Sequence, residues 1–318
     1  MTDPLLQLRS VSKSFGMTHA LSDLSLDLYP GEVHALVGEN GAGKSTMIKI
    51  MTGIHQPTSG TLLLDGSAKT MTGPQAARDV GIAAIYQEPM VFPDLDVAEN
   101  IFISSTKDGI WLNRKQQRRN ARDLIARIGM SFDVEQVASG LTLAEQQAVE
   151  IARALSEDVR VLIMDEPTAS LSAHEAAQLR RIASSLAEQG VAVVYISHRL
   201  EEIFEIADRV TVIRDGTHIS TRPIADVTSD GMIAEMVGRE VGNYFTKAPS
   251  TATDEVFLQA EGLTLGGVFE DISFALHRGE VLCMAGLVGA RRTDVALSIF
   301  GVTPATGGTI TVKGQTMH

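Results

Sequence analysis

Cysteine is almost absent. Cys283 is the single thiol in 318 residues, beside one tryptophan and four tyrosines. One thiol excludes an intramolecular disulfide and any cysteine-only metal site, and it fits a reducing compartment. Long apolar runs are missing as well. The longest, Val161 to Met164 and Val191 to Ile196, fall far short of the roughly 18 residues that a membrane span needs. The start, Met1-Thr2-Asp3-Pro4, has neither a basic segment nor an apolar run, so no secretory signal is expected. Positive charge is scarce: 27 Lys and Arg against 39 Asp and Glu leave a net charge of −12. Such a chain is poorly suited to wrapping nucleic-acid phosphate, where affinity comes from Lys and Arg displacing counterions. What is present is globular, with 44% hydrophobic and 21% charged residues. The length gives about two or three domains at roughly 100–200 residues each. The expectation is a soluble protein that serves a membrane, if at all, from its side.

The chain repeats itself. Gly31-Glu32-Val33 recurs as Gly279-Glu280-Val281, an offset of 279 − 31 = 248. The same offset carries Asp23 to Asp271, Gly38 to Gly286, Gly41-Ala42 to Gly289-Ala290, Lys44 to Arg292, Gly53 to Gly301 and Gly60-Thr61 to Gly308-Thr309. So long a period is not a solenoid. It predicts two homologous domains in tandem: one over residues 5–240, a small-residue and proline-marked linker over 241–254, and the amino-terminal part of a second over 255–318. Because the second copy stops at His318, the expectation is a fragment of a longer protein.

Short apolar runs closed by turn residues predict strands at Val33 to Val37, Thr61 to Leu64, Ile82 to Tyr86, Val159 to Met164 and Val191 to Ile196. Helical patterns cover Ser45 to Met51, Trp111 to Ile128, Leu143 to Leu155 and Ala173 to Glu188. Strand and helix in alternation argue an α/β fold around a parallel sheet. The segment from Leu6 to Leu28 alternates without helices and predicts a smaller antiparallel sheet.

Gly38-Glu39-Asn40-Gly41-Ala42-Gly43-Lys44-Ser45 fits the phosphate-loop pattern and stands between a strand and a helix, the context that this motif requires. Its glycines let backbone N–H groups turn toward phosphate oxygens, and the helix N-terminus adds a dipole that favours an anion. The lysine reaches β and γ phosphates, and the Ser45 hydroxyl ligates Mg²⁺. Asp165 ends a buried strand and matches the acid that helps to hold Mg²⁺. Glu166 follows it, placed to orient an attacking water.

With these residues in place the chain resembles the ATP-binding cassette ATPases over nearly its whole length. The resemblance implies a P-loop nucleotide-binding domain of parallel-sheet core, antiparallel β subdomain and helical subdomain. It implies ATP and Mg²⁺ as ligands. Asp165-Glu166-Pro167-Thr168 looks like the magnesium and catalytic-glutamate motif. Gln87 sits where the family's glutamine touches Mg²⁺ and senses a membrane partner. His198 looks like the switch histidine at the γ-phosphate, and Phe15 like the aromatic that stacks on adenine. Taken singly, these last three would read as a surface amide, a loop histidine and a core aromatic; their order and context carry the assignment. The implied site is Glu166, His198, Gln87 and Lys44 for catalysis, Phe15 and Gly38 through Thr46 for nucleotide, and Ser45, Gln87 and Asp165 for metal.

The family's Leu-Ser-Gly-Gly-Gln signature is altered here to Leu141-Thr142-Leu143-Ala144-Glu145. Two glycines are lost and a charge replaces an amide. The second copy's loop reads Gly286-Leu-Val-Gly289-Ala-Arg291-Arg292-Thr293, in which Arg291 should obstruct the tight turn. Leu263 stands where Phe15 would be. In this family two domains pair head to tail, each ATP lying between one loop and the opposite signature. Both defects therefore fall in one composite site. The loop and helix motifs are most similar to ATPases of bacterial monosaccharide importers of the ribose, galactose and xylose group. Tyr86-Gln-Glu-Pro89 looks closer to rhamnose-type or autoinducer-2-type members. The resemblance implies permease subunits, an indirect link to a solute-binding protein, no nucleic acid, and a place on the cytoplasmic face of the cell membrane. Two rivals stand beside it. One is a soluble tandem ATPase acting on ribosomes or DNA, supported by Arg114-Lys115, Arg118-Arg119 and Arg122, which otherwise read as a solvated helix face. The other is a nucleotide-binding switch without turnover, against which Glu166 speaks.

Overall fold

Leu6, Leu8, Val11, Leu21, Leu24, Leu26 and Leu28 alternate with polar residues, and all are buried. They make one apolar face on two strands, β1 (Leu6–Phe15) and β2 (Thr18–Leu28), which pair antiparallel. The computed structural model describes residues 3–103, 113–238, 251–286 and 289–317. The chain divides into two units, Met1–Val241 and Gly242–His318.

In the first unit the chain continues through β3 (Val33–Val37), α1 (Lys44–Met51), β4 (Ser59–Leu64), β5 (Ser67–Lys69), α2 (Pro74–Asp79), β6 (Ile82–Ile85), α3 (Val97–Phe102), α4 (Arg114–Arg127), α5 (Leu143–Ser156), β7 (Val161–Asp165), α6 (Ala173–Glu188), β8 (Ala192–Ile196), α7 (Leu200–Ile206), β9 (Arg209–Arg214), β10 (Thr217–Pro223) and α8 (Ser229–Val237). The antiparallel sheet has the order β2-β1-β4-β5, and the larger one β10-β9-β3-β8-β7-β6. In the larger sheet β9, β3, β8, β7 and β6 run parallel, while β10 is an antiparallel edge. The β4 strand, which sequence reading could not assign to a sheet, joins β1. The expected helix from Trp111 is described from Arg114; positions 111 and 112 lie outside the described residues.

The central strands are apolar on both faces because both faces are covered. Along β7, Leu162 and Met164 pack among α3, α4, α5 and α6, whereas Val161 and Ile163 pack against α1 and the antiparallel sheet. A third cluster, with Val37, Ile203, Val212 and Met232, closes the β9 side. The registers Met164↔Tyr195, Asp165↔Ile196 and Leu36↔Ile196 bring the carboxyl ends of β3, β7 and β8 to one edge, and Ile85↔Met164 adds the end of β6. Loops leaving these strands therefore meet along a single line, the usual place for a ligand in an open parallel sheet.

The second unit contains β11 (Val256–Leu265), β12 (Phe269–His277), α9 (Arg292–Phe300), β13 (Gly307–Val312) and β14 (Gln315–Met317), with sheet order β12-β11-β13-β14. This is the order β2-β1-β4-β5 again. Strands β4 and β13 begin 307 − 59 = 248 residues apart, the period found in the sequence. Backbone details repeat too: Asp23 and Asp271 both have positive φ (50° and 53°), as do Gly60 and Gly308 (both 88°). The counterpart of β3 differs. Val33 to Val37 are fully buried, while Val281 (88% exposed), Leu282 and Met284 carry no regular structure. Strand β3 is built between β8 and β9, and neither has a counterpart among the described residues of the second unit.

Asn100, fully buried in α3, fixes the loop that precedes it. Its Oδ1 accepts the Phe92 N–H at 2.8 Å, and its Nδ2 donates to the carbonyls of Phe92 (3.0 Å), Asp96 (3.1 Å) and Leu95 (3.3 Å). Asn100→Ala strands these groups, so unfolding free energy should fall by about 2 kcal/mol, as buried unpaired polar groups generally cost. Denaturant titration reads this directly, and an unchanged midpoint would show that the loop holds itself.

Candidate phosphate-binding site

Helix α1 begins differently from its neighbours. Its N-cap is Gly43, with φ 102° and no side chain to cap the first N–H groups. By contrast α5 and α6 close their own N-termini. Thr142 and Glu145 form a capping box on α5, and Ser172 and Glu175 form another on α6. An uncapped helix start with a dipole toward it is suited to an anion. The loop shape depends on missing side chains. A Cβ on Gly38 would lie 2.3 Å from the Ile213 carbonyl oxygen, and one on Gly43 would lie 2.6 Å from Leu21 Cδ2. Ala42 is buried under the loop. Glu39, Asn40, Gly41 and Ser45 are exposed, and Thr46 is half-buried.

Lys44 folds back over the loop. Its Nζ donates to the Gly38 carbonyl at 2.6 Å and the Glu39 carbonyl at 3.0 Å. Burial pushes its ammonium below the usual lysine range, with Glu166 and Asp165 opposing. Asp165 is displaced upward, by burial first and by Glu166 second, against the pull of Lys44. These charges therefore share one field at the edge of the sheet. Glu166 adopts φ 48°, a left-handed conformation that costs about 1–3 kcal/mol for a residue with a side chain. Its N–H donates to the Ile196 carbonyl at 2.9 Å, and its Oε2 lies 3.2 Å from His198 Nδ1. Lys44, Asp165, Glu166 and His198, drawn from three loops, are thus one cluster.

Gln87 is exposed and follows β6 at the same edge; no contact joins its side chain to the cluster. Phe15 is 44% exposed at the end of β1, edge-on to His55 at 5.1 Å, with Lys13 Nζ 5.0 Å above its ring. Its ring is available for stacking. Leu263, its counterpart in the second unit, is 1% exposed and belongs to the core. Among the described residues no group of three or more His, Cys, Asp or Glu is placed to hold a metal ion.

Two sequence expectations are sharpened. Arg291 is described at the end of its loop, of which positions 287 and 288 lie outside the described residues. It takes the left-handed conformation of its counterpart Gly43, with φ 57°, and α9 starts after it. A non-glycine residue there costs about 1–2 kcal/mol, which the turn absorbs. Glu145 turns out to be a cap. Its Oε2 accepts from Thr142 N–H at 2.8 Å and Thr142 Oγ1 at 2.9 Å. The altered signature thus fills its own helix N-terminus with a carboxylate, a role that an S/T-x-x-E spacing signals in the sequence. Sequence reading missed Gly216, at the β9–β10 turn. A Cβ there would meet the Ala20 carbonyl oxygen at 2.7 Å, and the turn packs beside Gly43. The Asp215-Gly216 pair was the available signal.

Residues 21–169 match the sequence profile of a family described as ABC transporter. Solved cassettes share the fold. An ADP-conformation ATP-binding cassette of an ABC transporter aligns with TM-score 0.67 and 25% identity over 74% of this chain and 99% of its own. The chain belongs to the ABC transporter family. Among curated relatives, ribose import ATP-binding protein RbsA 2 of Streptomyces avermitilis is 50% identical over 98% of this chain and 62% of its own length. Ribose import ATP-binding protein RbsA of Rhodococcus jostii is 48% identical over 99% and 63%. A putative ribose/galactose/methyl galactoside import ATP-binding protein of Agrobacterium fabrum is 46% identical over 98% and 62%. The chain spans about 62% of the length of these relatives.

Proposed function

We propose that the first unit is an ATP-hydrolysing cassette that energises import of a monosaccharide or related small polar solute, acting from the cytoplasmic face of the membrane on a permease. The second unit is then the beginning of a further, degenerate cassette. The observation that carries the reading is the convergence of an uncapped helix N-terminus, Lys44, Asp165, Glu166 and His198 at one sheet edge. The names of the relatives supply the solute class. No helix among the described residues is long and apolar enough to cross a membrane, which suits a peripheral subunit. A solute-binding protein would be reached only through the permease.

The residues fit Mg·ATP. Phe15 offers a face for adenine. The N–H groups from Gly38 through Thr46 and the Lys44 ammonium take the phosphates, Lys44 exchanging its two carbonyl partners for phosphate oxygens. The donors Ser45, Gln87 and Asp165 are too few for a standalone metal site, so Mg²⁺ would arrive with the nucleotide and supply charge neutralisation at the phosphates. Glu166 orients the attacking water and accepts its proton, and His198, held to Glu166, faces the γ-phosphate.

The rival reading on nucleic acid loses its support in α4. Arg118 pairs with Glu135 (2.6 Å) and Asp96 (3.4 Å), Arg122 with Glu135 (2.6 Å) and Arg114 with Glu99 (3.3 Å). These three arginines pair with acids of the fold, while Lys115 and Arg119 stay exposed, as on a solvated helix face. The permease is assigned instead to the segment from Gln87 to Phe102. It borders a groove of about 680 Å³ lined in part by Ile54, Tyr86, Met90, Val91, Phe92 and Ile103. Met90 (65%) and Phe92 (52%) are too exposed to be core.

Calorimetric titration should find one Mg·ATP per chain, with Lys44→Ala weakening it by roughly 10–100-fold, as loss of charge-assisted hydrogen bonds implies. Two equivalent sites per chain would contradict the degenerate second loop. Hydrolysis by the chain alone should be slow or absent, because a pair of these chains can offer only the self-capped α5 signature across the nucleotide. Phosphate release should appear with the longer protein and its permease, and Glu166→Gln should abolish it. Equal rates per Lys44 site with and without those partners would sink the asymmetric model. Cysteine cross-links from position 90 or 92 should trap a cytoplasmic permease helix; links obtained from α4 and not from these positions would relocate the interface.

A further inference from the structure

Glu202 lies in α7, outside every motif that the sequence singled out, and is 5% exposed. Its Oε2 accepts three hydroxyl groups: Thr168 Oγ1 at 2.7 Å, Ser197 Oγ at 3.0 Å and Tyr195 Oη at 3.1 Å. Its Oε1 faces Arg199 Nη1 at 3.4 Å and Arg180 Nη1 at 3.8 Å, and Arg180 also holds Glu205 through Nε at 2.8 Å. A buried carboxylate persists only when hydrogen-bonded and paired in this way. Burial, with Glu202 second, pushes the Tyr195 phenol upward, so it stays a donor.

Thr168 follows β7, and the other two hydroxyls lie in and just after β8, strands that pair as far as Asp165↔Ile196. Thr168 is two residues beyond Glu166. Tyr195 is in β8. Ser197 immediately precedes His198. While Ser197 Oγ donates to Glu202, it accepts the Arg199 N–H at 3.0 Å, so His198 is held between two fixed neighbours. On the facing loop the left-handed backbone of Glu166 is pinned by Ile196 behind it and by Thr168 ahead. The product of both restraints is the 3.2 Å separation between Glu166 Oε2 and His198 Nδ1.

We propose that Glu202 is a positioning residue, a buried clamp that joins the loop carrying Glu166 to the loop carrying His198 and sets their approach. Its importance for turnover rests on the ATPase reading above, whereas the clamp is a property of the chain without nucleotide. The two are therefore tested separately. In the full chain with ¹⁵N-labelled imidazoles, the His198 resonances are assigned by their loss in His198→Gln. Glu202→Gln keeps the size and one acceptor oxygen but removes the charge; Ser197→Ala and Thr168→Val each cut one link. The expected result is a shift of the His198 Nδ1 resonance in Glu202→Gln toward its position in Glu166→Ala, where the partner is gone, with Mg·ATP binding retained. Where Glu202→Gln fails to fold by circular dichroism, Ser197→Ala must show the shift. A folded Glu202→Gln protein with an unmoved His198 resonance overturns the clamp, as does an unmoved resonance in Ser197→Ala where that variant decides. Failure of the parent chain to bind Mg·ATP would overturn the proposed function, while the resonance comparison still decides on the clamp.

Discussion

The pairing of β3 with β8 on one side and β9 on the other is the constraint from which the site follows. It buries Val33 to Val37 on every face, sets the height at which the phosphate loop leaves the sheet, and aligns Leu36 with Ile196. Among the described residues of the second unit the same position has no such neighbours. Val281, Leu282 and Met284 are apolar enough for a strand, yet they carry none and stay exposed. Strand formation here is a tertiary event, because the run gains little until both edges and both faces are covered. The antiparallel sheet, whose four strands are all present in both units, forms in each with the same order.

Given that frame, the chemistry is divided by how helix N-termini are finished. Three loops deliver helices, and their first-turn residues differ. Gly43 leaves α1 open, whereas Glu145 and Glu175 fill α5 and α6 from within. Glu145 Oε2 accepts the N–H of the N-cap Thr142 and Thr142 Oγ1 accepts the Glu145 N–H, so a negative charge already stands at the positive end of the α5 dipole. The substitution in the signature therefore does two things at once. It supplies the reciprocal half of a capping box, and it places a like charge in the way of an incoming anion.

Much of this was legible in the sequence because the signals were local. The phosphate loop, the Asp165-Glu166 pair and the 248-residue period are patterns of a few residues at fixed spacing, and helix Ala173 to Glu188 was read at its observed bounds. What escaped was non-local. That β4 leaves the neighbouring α/β segments to pair with β1 depends on a register some fifty residues away in sequence, Leu6↔Leu64 being one pair. The Asp215-Gly216 pair signals a turn, but that Ala20 approaches Gly216 too closely for a Cβ is a contact no local pattern gives. Arg291 takes a left-handed backbone conformation at the position of Gly43, a property of the turn that side-chain size does not signal.

Helix α5 physically joins the segment proposed to meet a permease to the loop that carries Glu166. Glu150 Oε1 accepts the Met90 N–H at 3.0 Å, and Arg153 donates to the carbonyls of Asn100 (2.9 Å) and Met90 (3.2 Å). One turn earlier, Gln147 Nε2 donates to the Pro167 carbonyl at 2.5 Å, next to Glu166. The same helix thus grips the loop beside the groove and the loop that carries the acid. Burial pushes Glu150 upward and Arg153 downward from their usual ranges, each opposed by the other's charge. A displacement of Met90 must therefore either break these buried contacts or carry α5 with it. Because α5 also holds Pro167, a rigid movement of the helix reaches Glu166 through a single backbone carbonyl. The capping box of Thr142 and Glu145 holds the start of α5 in order, so the helix can serve as a strut between the two loops.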